Sequence, residues 1–96
     1  MEEARAQVKP VPLEIQELVI DGLSVHVTYV TGGKAHVGKQ ELLFQVVGEA
    51  DFGKPEKVVI GGQDIGEFAN GQTINVKIRA SNRMGMAESE AKSITV

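Results

Sequence analysis

The chain has 96 residues, a net charge of -3 and no cysteine. The length fits one domain with a hydrophobic core of its own, and the small net charge argues against a nucleic-acid partner. Without cysteine the chain has no disulfide, zinc–thiolate site or cysteine nucleophile. The apolar runs are far too short to cross a bilayer, so membrane insertion is not expected.

The beginning of the chain predicts a linker and then a hairpin of two strands. Residues 1–9 are polar and aperiodic, which is typical of a linker or an added tail, so we expect one domain over residues 10–96. Pro10-Val11-Pro12 favours extended backbone and blocks a helix. Asp21-Gly22 stands between two apolar runs and predicts a tight turn. The apolar face of the second strand is expected to hold Leu23, Val25, Val27 and Tyr29.

Two further strands are predicted in the middle of the chain. Residues 42–47 are apolar enough to be buried on both faces, and Gly38 and Gly48 leave too little length between them for an ordinary helix. A strand is therefore favoured there. Residues 57–60 predict a short strand, and the glycine-rich residues 61–71 predict a long connection without a helix.

The most regular pattern in the chain is INVKIRAS, residues 74–81, in which apolar and polar residues alternate. It predicts an antiparallel strand with one buried and one solvated face. The last strand is less regular, because Ala87 and Ser89 hold one phase and Ile94 the other, and this one-residue shift predicts a β-bulge. Short strands between turn signals, with no helical period, predict an all-β fold: a two-sheet antiparallel Ig-like sandwich of about seven strands.

Residues 71–85, GQTINVKIRASNRMG, resemble the penultimate strand of fibronectin type III domains, Gly-Thr-x-Tyr-x-Val-x-Val-x-Ala-x-Asn-x-x-Gly. Ile74 departs from the tyrosine of that pattern, and Tyr29 stands where the family usually has tryptophan. The resemblance implies that Phe68 takes the place of a leucine that closes one end of the sandwich, and that the final strand begins near Ser89. A seventh strand either lies within residues 61–68 or does not exist.

No constellation of residues predicts catalysis or a metal site. His26 and His36 would need further ligands for zinc, so both are expected to be surface histidines. Asp51, Asp64 and Glu67 are expected in loops and lack the spacing of a calcium loop. The serines occur in no G-x-S-x-G motif. We therefore expect no enzyme activity, and no catalytic, cofactor-binding or metal-binding residues.

Two loops are the candidate contact surfaces, and the sandwich would bring them to the same end. One is residues 83–86, where exposed methionine would be adaptable in recognition. The other is residues 31–39. The alternative is that Met84 or Met86 folds back on the core and that the lysines only keep the loop soluble. The candidate contact residues are Lys34, His36, Lys39, Arg83, Met84 and Met86.

By its resemblance, the chain is expected to be a non-catalytic module of a larger, bacterial extracellular or cell-surface protein, serving as a spacer or protein-interaction domain; a cytoplasmic location stays open. Its expected partners are neighbouring domains of the same chain, another protein or a glycan, and the module itself is expected to be a monomer. Two alternatives stay open: a ligand- or glycan-binding module that uses the end loops, and a structural subunit of a surface or virion assembly. That subunit would pair through edge strands near residues 13–17 or 88–96. Only Phe52 is expected to expose an aromatic ring to a sugar.

Overall fold

The computed structural model describes residues 9–30, 37–49 and 52–96. Within these ranges all regular structure is β-strand, which confirms the predicted all-β fold. Of the predicted linker, residues 1–8 lie outside the described residues. The strands are β1 (Glu14–Asp21), β2 (Ser24–Val30), β3 (Lys39–Val46), β4 (Glu56–Lys57), β5 (Gln63–Ile65), β6 (Thr73–Asn82), β7 (Gly85–Glu88) and β8 (Lys92–Thr95).

The strands form two antiparallel sheets that pack face to face. The smaller sheet has the order β1-β2-β5, and the larger one has the order β4-β3-β6-β7, with β8 also paired to β6. Strands β7 and β8 lie one after the other along the same side of β6. The named strands of the described residues therefore fill seven positions in a two-sheet sandwich, as the sequence predicted.

The core lies between the sheets and is built from alternate residues of their central strands. On β6, the four apolar residues of the alternating pattern are completely buried, whereas their polar neighbours are only partly covered. Burial of each large side chain contributes roughly 1.5–3 kcal/mol before entropy is subtracted. The core cluster is Leu13, Ile15, Val25, Val27, Tyr29, Leu42, Ile65, Phe68, Ile74, Val76 and Ile78.

The predicted β-bulge in the last strand is confirmed by the register. Arg79 lies opposite Glu88, whereas Val76 lies opposite Lys92, so residues 89–91 face only residues 77 and 78. The Ser89 N–H donates to the carbonyl oxygen of Ile78 at 2.8 Å, and the Ile78 N–H donates to Ser89 Oγ at 2.9 Å. A side-chain oxygen thus accepts the hydrogen bond that a backbone carbonyl would accept in a regular ladder.

The other predictions from the middle of the chain have mixed outcomes. A seventh strand does lie within residues 61–68, as β5, and Phe68 is buried with its ring edge-on to Phe44 at 5.7 Å between centroids. Leu42 and Leu43, successive residues on opposite faces of β3, are both buried, as predicted. The short strand predicted at 57–60 is present only as β4, Glu56–Lys57, and its predicted extension to residue 60 is wrong, because pairing ends at Lys57. Leu23, expected on an apolar face, is 40% exposed because it lies in the hairpin turn.

The two ends of the described chain lie at opposite ends of the sandwich. Val11 exchanges backbone hydrogen bonds with Val37, next to the start of β3 and the end of β6. Val96 instead bonds through its backbone to Gly71 and Gln72, just before β6 begins. The ten residues of β6 separate these points, a length of about 33 Å.

Candidate functional site

The predicted contact residues that the structure describes lie at one end of the larger sheet. Lys39 is directly opposite Ser81, the penultimate residue of β6, and Arg83 and Met84 form the turn that follows that strand. Met86 pairs with Ser81 from the other side. Lys39 and Met86 therefore lie on either side of Ser81, at the same level of the sheet. Lys34 and His36, the remaining candidates, lie outside the described residues.

The side chains of both methionines point into solvent. Met84 is 43% exposed and Met86 is 69% exposed, so the alternative that one of them folds back on the core is wrong. The turn is held by Asn82, whose Oδ1 accepts a hydrogen bond from the Met84 N–H at 2.7 Å. This bond ties the turn to the end of β6 and holds the backbone at Met84 in place, so two adaptable apolar side chains are presented on an ordered turn.

Gly38, just before β3, allows a close backbone contact with the end of β6. Its φ is +99°, and a Cβ added there would come within 2.7 Å of the Ser81 carbonyl oxygen. Glycine is the residue that tolerates both this left-handed conformation and a backbone contact of this kind. The close approach sets the start of β3 against the end of β6.

The outer face of the larger sheet carries paired charges. Glu41 accepts a hydrogen bond from Arg79 at 3.2 Å and lies 3.8 Å from the ammonium of Lys39, and Glu88 pairs with Lys77 at 2.8 Å. Such pairs on a partly solvated surface contribute about 0–1 kcal/mol each. They fix the orientation of the side chains more than they stabilise the fold.

Phe52 does not offer the exposed ring that the sequence predicted. The Lys77 ammonium lies 4.2 Å from the centre of its ring, and the side chain is half-buried. Tyr29 and Phe68 are buried in the core and Phe44 packs against it, so none of the aromatic side chains of the chain is exposed. The expectation that Phe52 exposes its ring is therefore wrong.

The outer face of the smaller sheet carries one histidine–carboxylate pair. His26 Nδ1 lies 2.7 Å from Asp64 Oδ1, and Asp64 is in β5 rather than in a loop as predicted. Gly62 lies against the ring, since a Cβ there would come within 2.7 Å of His26 Nε2. In the described part of the chain, nowhere do three or more histidine, aspartate or glutamate side chains meet in a way that could hold a metal ion.

Two glutamines that the sequence analysis did not single out tie loops to the sandwich. Gln40 Oε1 accepts a hydrogen bond from the Leu13 N–H at 3.0 Å, and its Nε2 donates to the Val11 carbonyl at 3.1 Å. This side chain fastens the segment before β1 to the start of β3. The alternating pattern gives no signal for it, because glutamine is polar and still faces inward.

Gln63 is the second such residue, and it joins three groups. Its Oε1 accepts hydrogen bonds from the Tyr29 hydroxyl and, at 2.8 Å, from the Val59 N–H, while its Nε2 donates to the Lys57 carbonyl at 3.1 Å. Burial, and secondarily the negative charge of Glu56, hold the pKa of Tyr29 well above its usual range. The phenol is therefore kept as the protonated donor that Gln63 needs.

Neither a protein-family model nor a curated protein matches the chain. Over the residues that the structure describes, no helix is long and apolar enough to span a membrane.

Proposed function

We propose that the chain is a non-catalytic, fibronectin type III-like module of a larger bacterial extracellular protein, where it separates neighbouring domains and offers a protein-contact surface. The observation that carries the spacer part is the position of its two ends. The chain enters beside Val37 and leaves beside Gly71, at opposite ends of β6. A domain attached at each end would be held apart by the length of the sandwich.

The family assignment is supported by the strand arrangement as well as by the motif over residues 71–85. Seven strand positions in two antiparallel sheets fit the Ig-like class of sandwich. Phe68 is buried in the core close to the hairpin turn, where its N–H donates to the Leu23 carbonyl at 2.8 Å. This position suits the closing role that the resemblance implies for it.

The absence of catalysis is proposed from the surroundings of the one histidine that the structure describes. His26 uses Nδ1 for Asp64, and Gly62 covers the region of Nε2. The nitrogen that would activate a nucleophile is thus next to a backbone without a side chain. No nucleophilic side chain is hydrogen-bonded to this partly exposed histidine among the described contacts, and we therefore interpret it as a structural partner of Asp64.

The proposed module is a monomer, because irregular pairing interrupts the two edge regions through which an assembly subunit would pair. The pairing of β1 with β2 slips by one residue between Ile15 and Glu17, and the last strand bulges at residues 89–91. Bulges at sheet edges interrupt the flat ladder that edge-to-edge pairing needs. The assembly-subunit alternative is therefore not the function that the geometry favours.

The spacer role can be tested by energy transfer between dyes, because the chain has no cysteine of its own to label. Lys9→Cys combined with Thr95→Cys places dyes at opposite ends, and Lys9→Cys combined with Arg83→Cys places both dyes at one end. We expect clearly lower transfer for the first pair, because its two dyes are farther apart by about the length of β6. Equal transfer for both pairs, or association that grows with concentration in sedimentation, would contradict the proposal.

A further inference from the structure

The edge of the larger sheet at β4 is left open by the course of the chain. Among the described residues, β4 pairs with β3 at two positions only, Glu41 with Lys57 and Leu42 with Glu56. Beyond Lys57 the chain turns away, because Gln63 binds the Lys57 carbonyl and the Val59 N–H. A gap therefore separates the start of β3 from residues 58–60.

This gap is a groove with apolar walls. Its volume is about 510 Å³. Ile60 is 58% exposed, and Val58 is partly buried against the core, so the apolar wall is anchored at one end and open to solvent at the other. The residues that line the groove are Lys39, Gln40, Glu41, Lys57, Val58 and Ile60.

The backbone of β3 faces this groove at Gln40. Ile78 bonds through its N–H and C=O to Ser89, so the residue opposite it on β3, Leu42, directs its own backbone groups toward β4. Backbone direction repeats every second residue along a strand, so Gln40 also points its N–H and C=O to that side. The hydrogen bond from the Gly53 N–H to the Phe44 carbonyl follows the same direction.

The rim of the groove is positively charged. The Lys39 side chain is 74% exposed, and Lys57 is exposed as well. Glu41, the acidic residue among those that line the groove, is only 18% exposed, and Arg79 donates to it at 3.2 Å. Its charge is shared between Arg79 and Lys39, whose ammonium lies 3.8 Å from it, so the lining carries more positive than negative charge, and the Lys39 and Lys57 side chains are still exposed to an incoming ligand.

We propose that this groove binds an extended, acidic segment of a protein partner, which adds as a strand beside Gln40. The backbone of the segment would pair with β3, an aliphatic side chain would contact Val58 and Ile60, and its carboxylates would meet Lys39 and Lys57. The inference names the partner chemistry for the contact surface of the proposed function and rests on that part of it. The spacer part is independent of it.

The test uses a capped hexapeptide of alternating glutamate and valine as the probe, with the lysine–valine peptide as its control. Each is titrated into the ¹⁵N-labelled protein at concentrations up to the order of 1 mM, where weak peptide binding is measurable. We expect the glutamate peptide to shift the amides of residues 39–41 and 57–60. The lysine peptide should leave them unchanged, because the rim repels it.

Variants identify the site. Lys57→Glu should weaken binding about fivefold, since one charge pair at a partly desolvated surface changes sign. Ile60→Ser should weaken it similarly, and Val19→Ser, at an exposed valine of β1 in the smaller sheet, should not change it. Equal binding of the two peptides, shifts centred on residues 83–86, or no shifts at all would overturn the proposal. The energy-transfer result for the spacer is unaffected by any of these outcomes.

Discussion

In the larger sheet, the outer sides of the two central strands, β3 and β6, differ in how completely they are paired. Along β6, strands β7 and β8 together pair with eight of its residues, whereas β4 pairs with only two residues of β3. A polar side chain accounts for each case. Ser89 supplies the oxygen that carries the ladder across the bulge, and Gln63 draws the chain away from β3.

On both sides, a polar side chain that binds backbone determines whether the central strand keeps a paired neighbour. A side-chain oxygen that accepts from the neighbouring strand keeps an edge paired, and a side-chain amide that binds its own loop leaves an edge open. The covered edge is interrupted by a bulge and is unsuited to a further strand. The open edge has apolar walls and a positively charged rim, and it is where we expect a partner.

The largest effect is expected from a substitution in the core of β6, which pairs with β3 in the middle of the larger sheet. Val76 is completely buried on β6, so Val76→Asp places a carboxylate in the core without a partner. We expect a loss of more than about 4 kcal/mol in the free energy of unfolding and, for a domain of this size, loss of the folded state. Circular dichroism and amide NMR dispersion measure this. Val47→Asp, at a valine that is 55% exposed, is the control and should stay folded.

The next effect concerns the open edge. Gln63→Ala removes three hydrogen bonds, to Tyr29, Lys57 and Val59, and should lower the free energy of unfolding by about 2–3 kcal/mol. Urea unfolding measures the loss, and amide shifts at residues 57–60 show where the chain is released. Gln45→Ala, which removes a single exposed hydrogen bond to Glu49, should lower it by less than about 1 kcal/mol. Equal losses would show that Gln63 does not hold the segment.

A smaller effect is expected at the covered edge. Ser89→Ala leaves the Ile78 N–H without its acceptor, at a cost of about 1–2 kcal/mol in the free energy of unfolding. Ser93→Ala, in β8, removes an exposed contact with Asn75 and should cost less than about 0.5 kcal/mol. If the two serine variants unfold at the same urea concentration, Ser89 does not carry the ladder.

Ionisation of Tyr29 has the smallest expected effect on stability at neutral pH, and it lowers stability only in alkali. Because burial raises its pKa above the unfolded value near 10, the stability it contributes is complete below pH 10 and falls as the pH rises above it. Wild type should therefore lose more stability than Tyr29→Phe between pH 9 and 11. Since Tyr29 is the only tyrosine, absorbance of tyrosinate near 295 nm follows it directly. Ionisation near pH 10 in the folded protein would contradict the argument.

The sequence predicted best where one local pattern determines the structure. The alternation over residues 74–81 identified β6, and the phase change after Ser89 identified the bulge, because both depend on which face each residue occupies. Residues 57–60 were misjudged, since their course depends on a glutamine side chain that also binds a tyrosine on another strand. Phe52 was misjudged for a similar reason: Lys77, which covers it, is distant in the chain.

Within the candidate site, the sequence could predict that Lys39 and residues 83–86 share one end, because strand connections determine it. It could not predict the groove beside β3. That groove depends on hydrogen bonds that Gln63 makes to loop backbone, and glutamine at an inward-facing position has no periodic signature.

Native-state hydrogen exchange of two amides tests the difference between the edges most directly. The Ser89 N–H is bonded to the Ile78 carbonyl at 2.8 Å, whereas the Gln40 N–H faces the groove. We predict that the Gln40 amide exchanges at least about tenfold faster than the Ser89 amide, and that the glutamate–valine peptide slows Gln40 alone. Equal protection of the two amides without peptide would show that both edges are closed and would contradict the account.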